Sequence, residues 1–262
     1  KTSRQQDKLI NSYKYFFSLI YNYIMGNKKK VLIFTATYNE KENIELFISL
    51  IFKNNPEVSV LIIDDNSPDK TSEKIKQLQK IYKTIYLIMR EQKLGLDTAH
   101  KEAYNFAKKE GYDYLITMDA DLSHDPVEIK NFILNLEKYP FVIGSRYIQN
   151  GKCLMKGRRL IFSIYGNKII KYFLNISCNE FTTSYRGFNI SKLNDFNLDV
   201  VENKGYSFFM GTVFEIAKRG FKIKEIPIIF KDRNKGISKI PKIEILRTLK
   251  NLFFLVLKNY FK

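Results

Sequence analysis

Between residues 31 and 145, five short apolar runs alternate with amphipathic stretches, and this rhythm narrows the folding options more than any other feature. "VLIFTA" from Val31, "VSVLIID", "TIYLIM", "YDYLITMD" and "FVIGS" read as strands, with helices expected over 40–53, 69–82, 96–110 and 126–138. Strands buried on both faces give continuous apolar runs, whereas half-exposed strands alternate apolar and polar residues. Repeated strand–helix units therefore predict an α/β fold with a mainly parallel sheet covered on both faces. Such sheets bind ligands beyond the carboxyl ends of their strands. The polar residues at those ends are "TYNE" (37–40), "DDNSPD" (64–69), "DADLSHD" (119–125) and "SRY" (145–147), so all four segments are expected to line one crevice.

After residue 150 the rhythm changes. The basic segment "GKCLMKGRR" leads to a helix ending near residue 174, followed by "EFTTSYRGFNI", a helix around 208–219, the strand "FKIKEIPIIF" and the loop "KDRNKGISK". There is no internal repeat and no polar linker, so one large domain over 29–240 is expected between two appended helices. In the first, 1–28, Leu9, Ile10, Tyr13, Phe16, Phe17, Ile20 and Ile24 recur at amphipathic spacing, as in a helix packed on its own domain or lying on a membrane. In the second, 241–262, "LFFLVL" between Lys250 and Lys258 is far shorter than the ~20 residues that span a bilayer. An amphipathic helix lying at a membrane surface, or the stump of a longer anchor, is the expectation there. The chain opens on Lys1 instead of Met, and is expected to be a fragment or a processed product.

Forty-four Lys and Arg against 27 Asp and Glu give a net charge of +17, which favours an anionic partner: nucleic acid, lipid surface or phosphorylated substrate. Nucleic acid is disfavoured, because the basic residues are dispersed while acids crowd the crevice a polyanion would enter. Cys153 and Cys178 suit neither a disulfide framework nor a four-ligand zinc cluster. His100 and His124, the only histidines, have no partners at ligand spacing and are read as structural.

Asp119 and Asp121 stand two apart at a strand end, where a cation would relieve their repulsion. Oxygen-only ligands suit Mg2+ or Mn2+, which would in turn bridge a diphosphate; on these residues alone a solvated acidic loop remains the alternative. Asp125, ahead of Pro126, is read as a helix cap. In "DDNSPD", Asp69 or Ser67 suits a cap, while Asp64 and Asp65 stand where a carboxylate could read a base or ribose. Arg159, Ser163 and Asn167 recur every four residues and share one helix face, able to grip a phosphate or simply solvated. Arg233, Ser238 and Lys239 around Gly236 form a second basic loop, or an ordinary charged hairpin.

In order, "TYNEKENI", "IIDDNSPDKT", "KLGLDTAH", "MDADLSHDP", "GSRY", "RRLIFSIYGN", "EFTTSYRGF" and "EIPIIFKDRNKGISK" resemble the family 2 glycosyltransferases of GT-A fold, most closely the polyprenyl-phosphate (dolichyl-phosphate) mannosyltransferases. The resemblance covers residues 31 to about 245. It implies that Thr37, Glu40, Asp65, Ser67 and Asp119 bind the donor nucleotide, and that Asp119 and Asp121 hold the metal. It further implies that Arg146, Arg159, Ser163, Arg186, Arg233 and Lys239 surround the donor and acceptor phosphates. Glu180 and Thr183 would shape the sugar pocket, and Asp121, Arg146 and Arg233 would be the catalytic residues. Departures from the pattern are Ala36 in place of a Pro, Ser123 in place of a Gln used by some relatives, and Gly211 in place of a Glu, with Glu215 the nearest acid.

The implied reaction is inverting transfer of a sugar, mannose favoured, from a nucleotide-sugar to a polyprenyl phosphate at an anionic membrane surface, on its cytoplasmic face. GDP-mannose is favoured as donor over a UDP-sugar, and no partner subunit is legible. A phosphate acceptor is already ionised near neutrality and needs no strong general base. The chain has no Trp and no adjacent Glu-Asp pair, which counts against the alternative of a glycan hydroxyl acceptor. An alternative of another class is a non-catalytic basic protein that binds nucleotide or nucleic acid.

Overall fold

The apolar runs become strands because helices cover both of their faces: Leu32, Ile33, Phe34, Leu61, Ile62 and Ile63 are all wholly buried. The structure, a computed structural model, describes residues 29–232 and 243–260. The chain divides into two compact units, Lys1–Lys30 and Val31–Lys262, and every described helix and strand lies in the second. The expected helix over 1–28 lies outside the described residues.

The first half alternates as expected: β1 (Val31–Thr37), α1 (Lys41–Asn54), β2 (Ser59–Asp64), α2 (Thr71–Ile81), β3 (Ile85–Met89), α3 (Leu96–Lys109), β4 (Tyr114–Thr117), α4 (Ile129–Leu136) and β5 (Phe141–Ser145). A short 3-10 turn, Pro126–Glu128, leads into α4. Then come β6 (Lys152–Cys153), α5 (Arg158–Leu174), β7 (Arg186–Asn189), α6 (Ser207–Lys218), β8 (Ile223–Pro227), β9 (Ile229–Phe230) and α7 (Ile243–Tyr260). The main sheet has the order β3-β2-β1-β4-β7-β5-β8. Its ladders are parallel except the two made by β7, which runs antiparallel between β4 and β5.

Side chains alternate across the strands with period two, so each face of the sheet builds its own core. Leu32, Phe34, Leu61 and Ile63 pack with Ala103 and Tyr104 of α3 and Phe208 and Val213 of α6. On the other face, Ile33, Val60 and Ile62 meet Ile44 and Phe47 of α1, Ile75 of α2 and Phe132 of α4. Each such side chain taken wholly out of water contributes about 1.5–3 kcal/mol.

Strand β7 needs Gly187: a Cβ there would come within 2.9 Å of Leu136 Cδ1 and 3.0 Å of Phe132 Cδ1. The single strand expected over 221–230 is instead two. β8 ends at Pro227 in the main sheet, and β9 leaves it to pair with β6. Proline has no N–H with which to continue a ladder.

Helix α7 rests on α5 and α6. Leu252 and Leu255 are buried, Asn251 Nδ2 donates to Ser207 Oγ, and Lys258 Nζ donates to Glu215 Oε1 at 2.9 Å. Glu215, the acid nearest to Gly211, is therefore engaged by α7 and by Arg219. Among the described residues no helix is long and apolar enough to cross a membrane.

Candidate active site

With β1, β2, β4 and β5 all parallel, their carboxyl ends meet at one edge, and β7 begins at that same edge because it runs the opposite way. The loop 180–185 ahead of β7 thus joins the four expected segments.

At the β1–β2 end, Asp64 is the organiser. Its carboxylate, wholly buried, accepts from Thr37 Oγ1 at 2.7 Å, from the Ser67 amide and hydroxyl at 2.9 and 2.6 Å, and from Ser72 Oγ at 2.9 Å. Ser67 Oγ in turn accepts the Asn39 N–H, Thr71 Oγ1 the Glu40 N–H and Asp69 Oδ2 the Lys41 N–H, each at 3.0 Å. The second loop therefore caps the amides at the head of α1, satisfying donors that a helix start leaves open. Asp69 also accepts from the Thr71 N–H, as its expected capping role requires. Thr37 and Ser67, expected on the nucleotide, donate their hydroxyls to Asp64 and shape the loop.

Asp65 faces the crevice wall differently. Arg90 Nη1 donates to its Oδ1 at 3.0 Å, and the Gly95 N–H donates to its Oδ2 at 3.1 Å. Arg90 also holds Thr98 and Glu102, so it fixes Asp65 against the start of α3. Arg90 escaped the sequence reading. It stands just after β3, the one signal that could have drawn attention to it. Glu40 lies at the head of α1, its Oε2 accepting from Asn43 Nδ2 at 2.8 Å.

The two central acids are held in unlike ways. Asp121 is 5% exposed, and its Oδ1 accepts from the Ser123 N–H at 3.1 Å and the Ser123 hydroxyl at 2.6 Å. The side chain of Asp119 is 45% exposed, and its Oδ1 accepts from Ser184 Oγ at 2.6 Å. His124, 1% exposed, accepts the Asp119 N–H on Nδ1 at 3.1 Å, and burial lowers its pKa. Asp125 is the expected cap, taking the Val127 N–H at 3.1 Å, and it also pairs with Lys231 at 3.0 Å. His100 has the expected structural setting, between Phe34 and Phe209, and burial lowers its pKa to about 3.

These donors suit a hard divalent cation. Asp119 and Asp121 supply carboxylate oxygens, and among the described residues no group of three or more His, Cys, Asp and Glu could hold a metal unaided. A site with two protein carboxylates leaves its remaining positions to water and phosphate oxygens, the usual habit of Mg2+ and a common one of Mn2+.

Loop 180–185 is built around buried charges. Glu180 is wholly buried, and Arg146 clamps it from Nε at 2.7 Å and Nη2 at 2.8 Å. Burial opposes the charge, yet Arg146 holds the Glu180 carboxyl below its usual range. Glu180 Oε1 accepts the Thr182 and Thr183 amides and sets the shape of the loop. Arg146 is 7% exposed, and its pairing with Glu180 ties its guanidinium to the loop. Arg186 is 1% exposed, and its guanidinium donates to the carbonyls of Thr183, Phe209 and Phe181.

Residues Ser163 and Asn167 share a face as their spacing requires. Tyr147 Oη donates to Ser163 Oγ at 2.6 Å, and Asn167 Oδ1 accepts the Phe181 N–H at 2.7 Å. Arg159, half exposed, lies 3.6 Å from Asp232. Thr183, 4% exposed, lies behind Ser184, its Oγ1 3.3 Å from His124 Nε2. Arg233 and Lys239 lie outside the described residues.

Comparison with known proteins agrees with this geometry. A polyprenol monophosphomannose synthase of Mycolicibacterium smegmatis is 31% identical over 215 residues, 81% of each chain. An undecaprenyl-phosphate mannosyltransferase of Micrococcus luteus is 32% identical over 212 residues, 80% of this chain and 87% of that one. Among solved structures, glucosyl-3-phosphoglycerate synthase of Mycobacterium tuberculosis, with Mn2+, uridine-diphosphate and phosphoglyceric acid, superposes with a TM-score of 0.63 over 88% of this chain and 78% of that chain. A mannosyltransferase of Pyrobaculum calidifontis, with GDP-Man and Mn2+, gives 0.59 over 89% of this chain and 65% of that chain. Both are 14% identical to this chain and show a shared GT-A fold alone. Residues 32–196 match the family described as glycosyl transferase family 2, and with these relatives the chain belongs to glycosyl transferase family 2.

Proposed function

We propose that this chain transfers a hexose, mannose in preference, from a nucleotide-sugar to a polyprenyl phosphate, inverting the anomeric carbon. GDP-mannose is the favoured donor. The observation that carries this reading is the pair Asp119–Asp121 at the sheet's carboxyl edge, each carboxylate held by a hydroxyl, Ser184 for one and Ser123 for the other. Asp119 and Asp121 would hold Mg2+ or Mn2+, which supplies charge neutralisation on the departing diphosphate. Asp65, fixed by Arg90, presents a carboxylate edge to the nucleoside. The exposed Arg159, with Ser163 on the same helix face, is suited to draw in the acceptor phosphate. An ionised phosphate monoester attacks without a protein base, and none is assigned.

Helices α5 and α7 support a lipid acceptor. Residues 158–174 hold no Asp or Glu, and Ile161, Phe162, Tyr165, Tyr172 and Phe173 are exposed on that helix. Leu246, Leu249 and Phe253 are exposed on α7, which packs beside it. Two adjoining helices with bare aromatic and aliphatic side chains among lysines and arginines suit the headgroup zone of an anionic bilayer. Peripheral docking there would bring the crevice to the lipid phosphate.

The deciding experiment incubates the chain with radiolabelled GDP-mannose, a short polyprenyl phosphate and Mn2+ or Mg2+, and counts label in the organic phase. Metal-dependent label that falls at least ~100-fold in Asp121→Asn is expected for loss of a metal ligand. No label with any nucleotide-sugar, or equal label from the two proteins, would overturn the reading.

A further inference from the structure

Asp121 is oriented within its own loop, by the amide and hydroxyl of Ser123 two residues on. Asp119 is held from two sides, by His124 five residues on in the same loop and by Ser184 in the loop before β7. Its backbone N–H donates to His124 Nδ1 at 3.1 Å, and its carboxylate takes the Ser184 hydroxyl at 2.6 Å. The opposite ring nitrogen, His124 Nε2, lies 3.3 Å from Thr183 Oγ1. An Nδ1 that accepts carries no proton, so the neutral ring bears its hydrogen on Nε2 and turns it toward Thr183. The ring is 1% exposed, with Tyr185 and Phe230 at centroid distances of 4.9 and 5.4 Å.

Thr183 is itself fixed, its N–H on Glu180 Oε1 at 3.2 Å, and Glu180 is clamped by Arg146. A phenylalanine would fill the same space but leave the Asp119 N–H without its acceptor. We propose that His124 is a positioning residue for Asp119, the joint through which the loop 180–184 sets the carboxylate that holds the metal. The loop that carries the metal ligands and the loop before β7 are thereby locked in register by a chain running Arg146–Glu180–Thr183–His124–Asp119.

The test is a titration of the full chain with Mn2+ at a fixed GDP concentration, followed by the EPR signal of free Mn2+, beside a thermal melt of each variant. Outer partners of metal ligands typically contribute 10–100-fold in affinity, so His124→Ala is expected to weaken Mn2+ by about that much. His124→Asn, whose amide oxygen can stand where Nδ1 stood, is expected to recover most of the loss. Thr183→Val, which removes the partner of Nε2 and keeps the ring, is expected to weaken Mn2+ less than His124→Ala.

A folded His124→Ala that binds Mn2+ as wild type does would overturn the proposal, as would a His124→Asn no better than His124→Ala. Should His124→Ala fail to fold, Thr183→Val decides: weaker Mn2+ with an unchanged melt supports the proposal, and unchanged affinity overturns it. The proposal rests on Asp119 and Asp121 as metal ligands. Asp121→Asn separates the two, because wild-type Mn2+ affinity in that variant removes the metal reading itself. A weakened Asp121→Asn beside an unaffected His124→Ala removes only the role of His124.

Discussion

The two ends of the crevice are built by opposite means. At the β1–β2 end one buried carboxylate, Asp64, gathers three hydroxyls and an amide, from Thr37, Ser67 and Ser72. At the β5–β7 end a buried ion pair, Arg146–Glu180, shapes the loop, and a second buried guanidinium, Arg186, is met by carbonyls. A hydroxyl ring loses its members one at a time. A buried ion pair fails at once, since removing either partner strands a charge in a low-dielectric interior.

Glu180→Gln should therefore give the largest effect, a loss of about 3–5 kcal/mol in chemical denaturation. Asp64→Ala removes charged acceptors from several donors and should cost about 2–3 kcal/mol. If Asp64→Ala proves the more damaging of the two, the contrast between the ends is wrong.

His100 sharpens the contrast as a third manner of burial, a titratable group kept neutral. Its pKa in the folded chain is lowered to about 3 from 6.5, by burial first and by the Arg186 charge second. Below pH 6.5 the unfolded chain takes up a proton that the folded chain refuses. His100 thus withdraws stability progressively as pH falls from 6.5 toward 3, by about 1.4 kcal/mol per pH unit. Denaturation midpoints of wild type and His100→Gln, compared at pH 7 and pH 5, should show the variant with the shallower fall. Equal slopes would mean that the ring is protonated in place.

The smallest effect is expected at the crevice rim. Lys231 and Asp125 pair at 3.0 Å with Lys231 about half exposed, so Lys231→Ala should change stability by less than about 1 kcal/mol. A larger loss would extend the buried-charge regime of the β5–β7 end to the surface.

What was legible in the sequence follows from which forces act locally. The strands β1 to β5 could be read because burial on both faces leaves an unbroken apolar run, and Asp125 could be read as a cap because capping is decided within three residues. β7 could not: "RGFN" is four residues long, is set by ladders to β4 and β5, and carries a glycine demanded by Leu136 and Phe132. The phosphate roles of Arg146 and Arg186 are implied by family resemblance alone, and the pairing of Arg146 could not be read because its acid lies 34 residues away. The same distance effect hid Arg90, 25 residues from the Asp65 it holds.

The place of β7 also bears on how the chain is made. β4 and β5 follow one another in the chain yet share no ladder, because β7 stands between them. When a ribosome has delivered residue 145, the group β3-β2-β1-β4 can already pair, but β5 has no neighbour and β4 has an open side. Both gaps close only once residue 189 has emerged, and translation at ~5–20 residues per second leaves them open for some seconds. The stretch from 146 to 185, which carries α5 with its exposed aromatics, is synthesised while β4 is open on one side and β5 on both. Nascent chains halted within it are therefore the species most in need of chaperone cover.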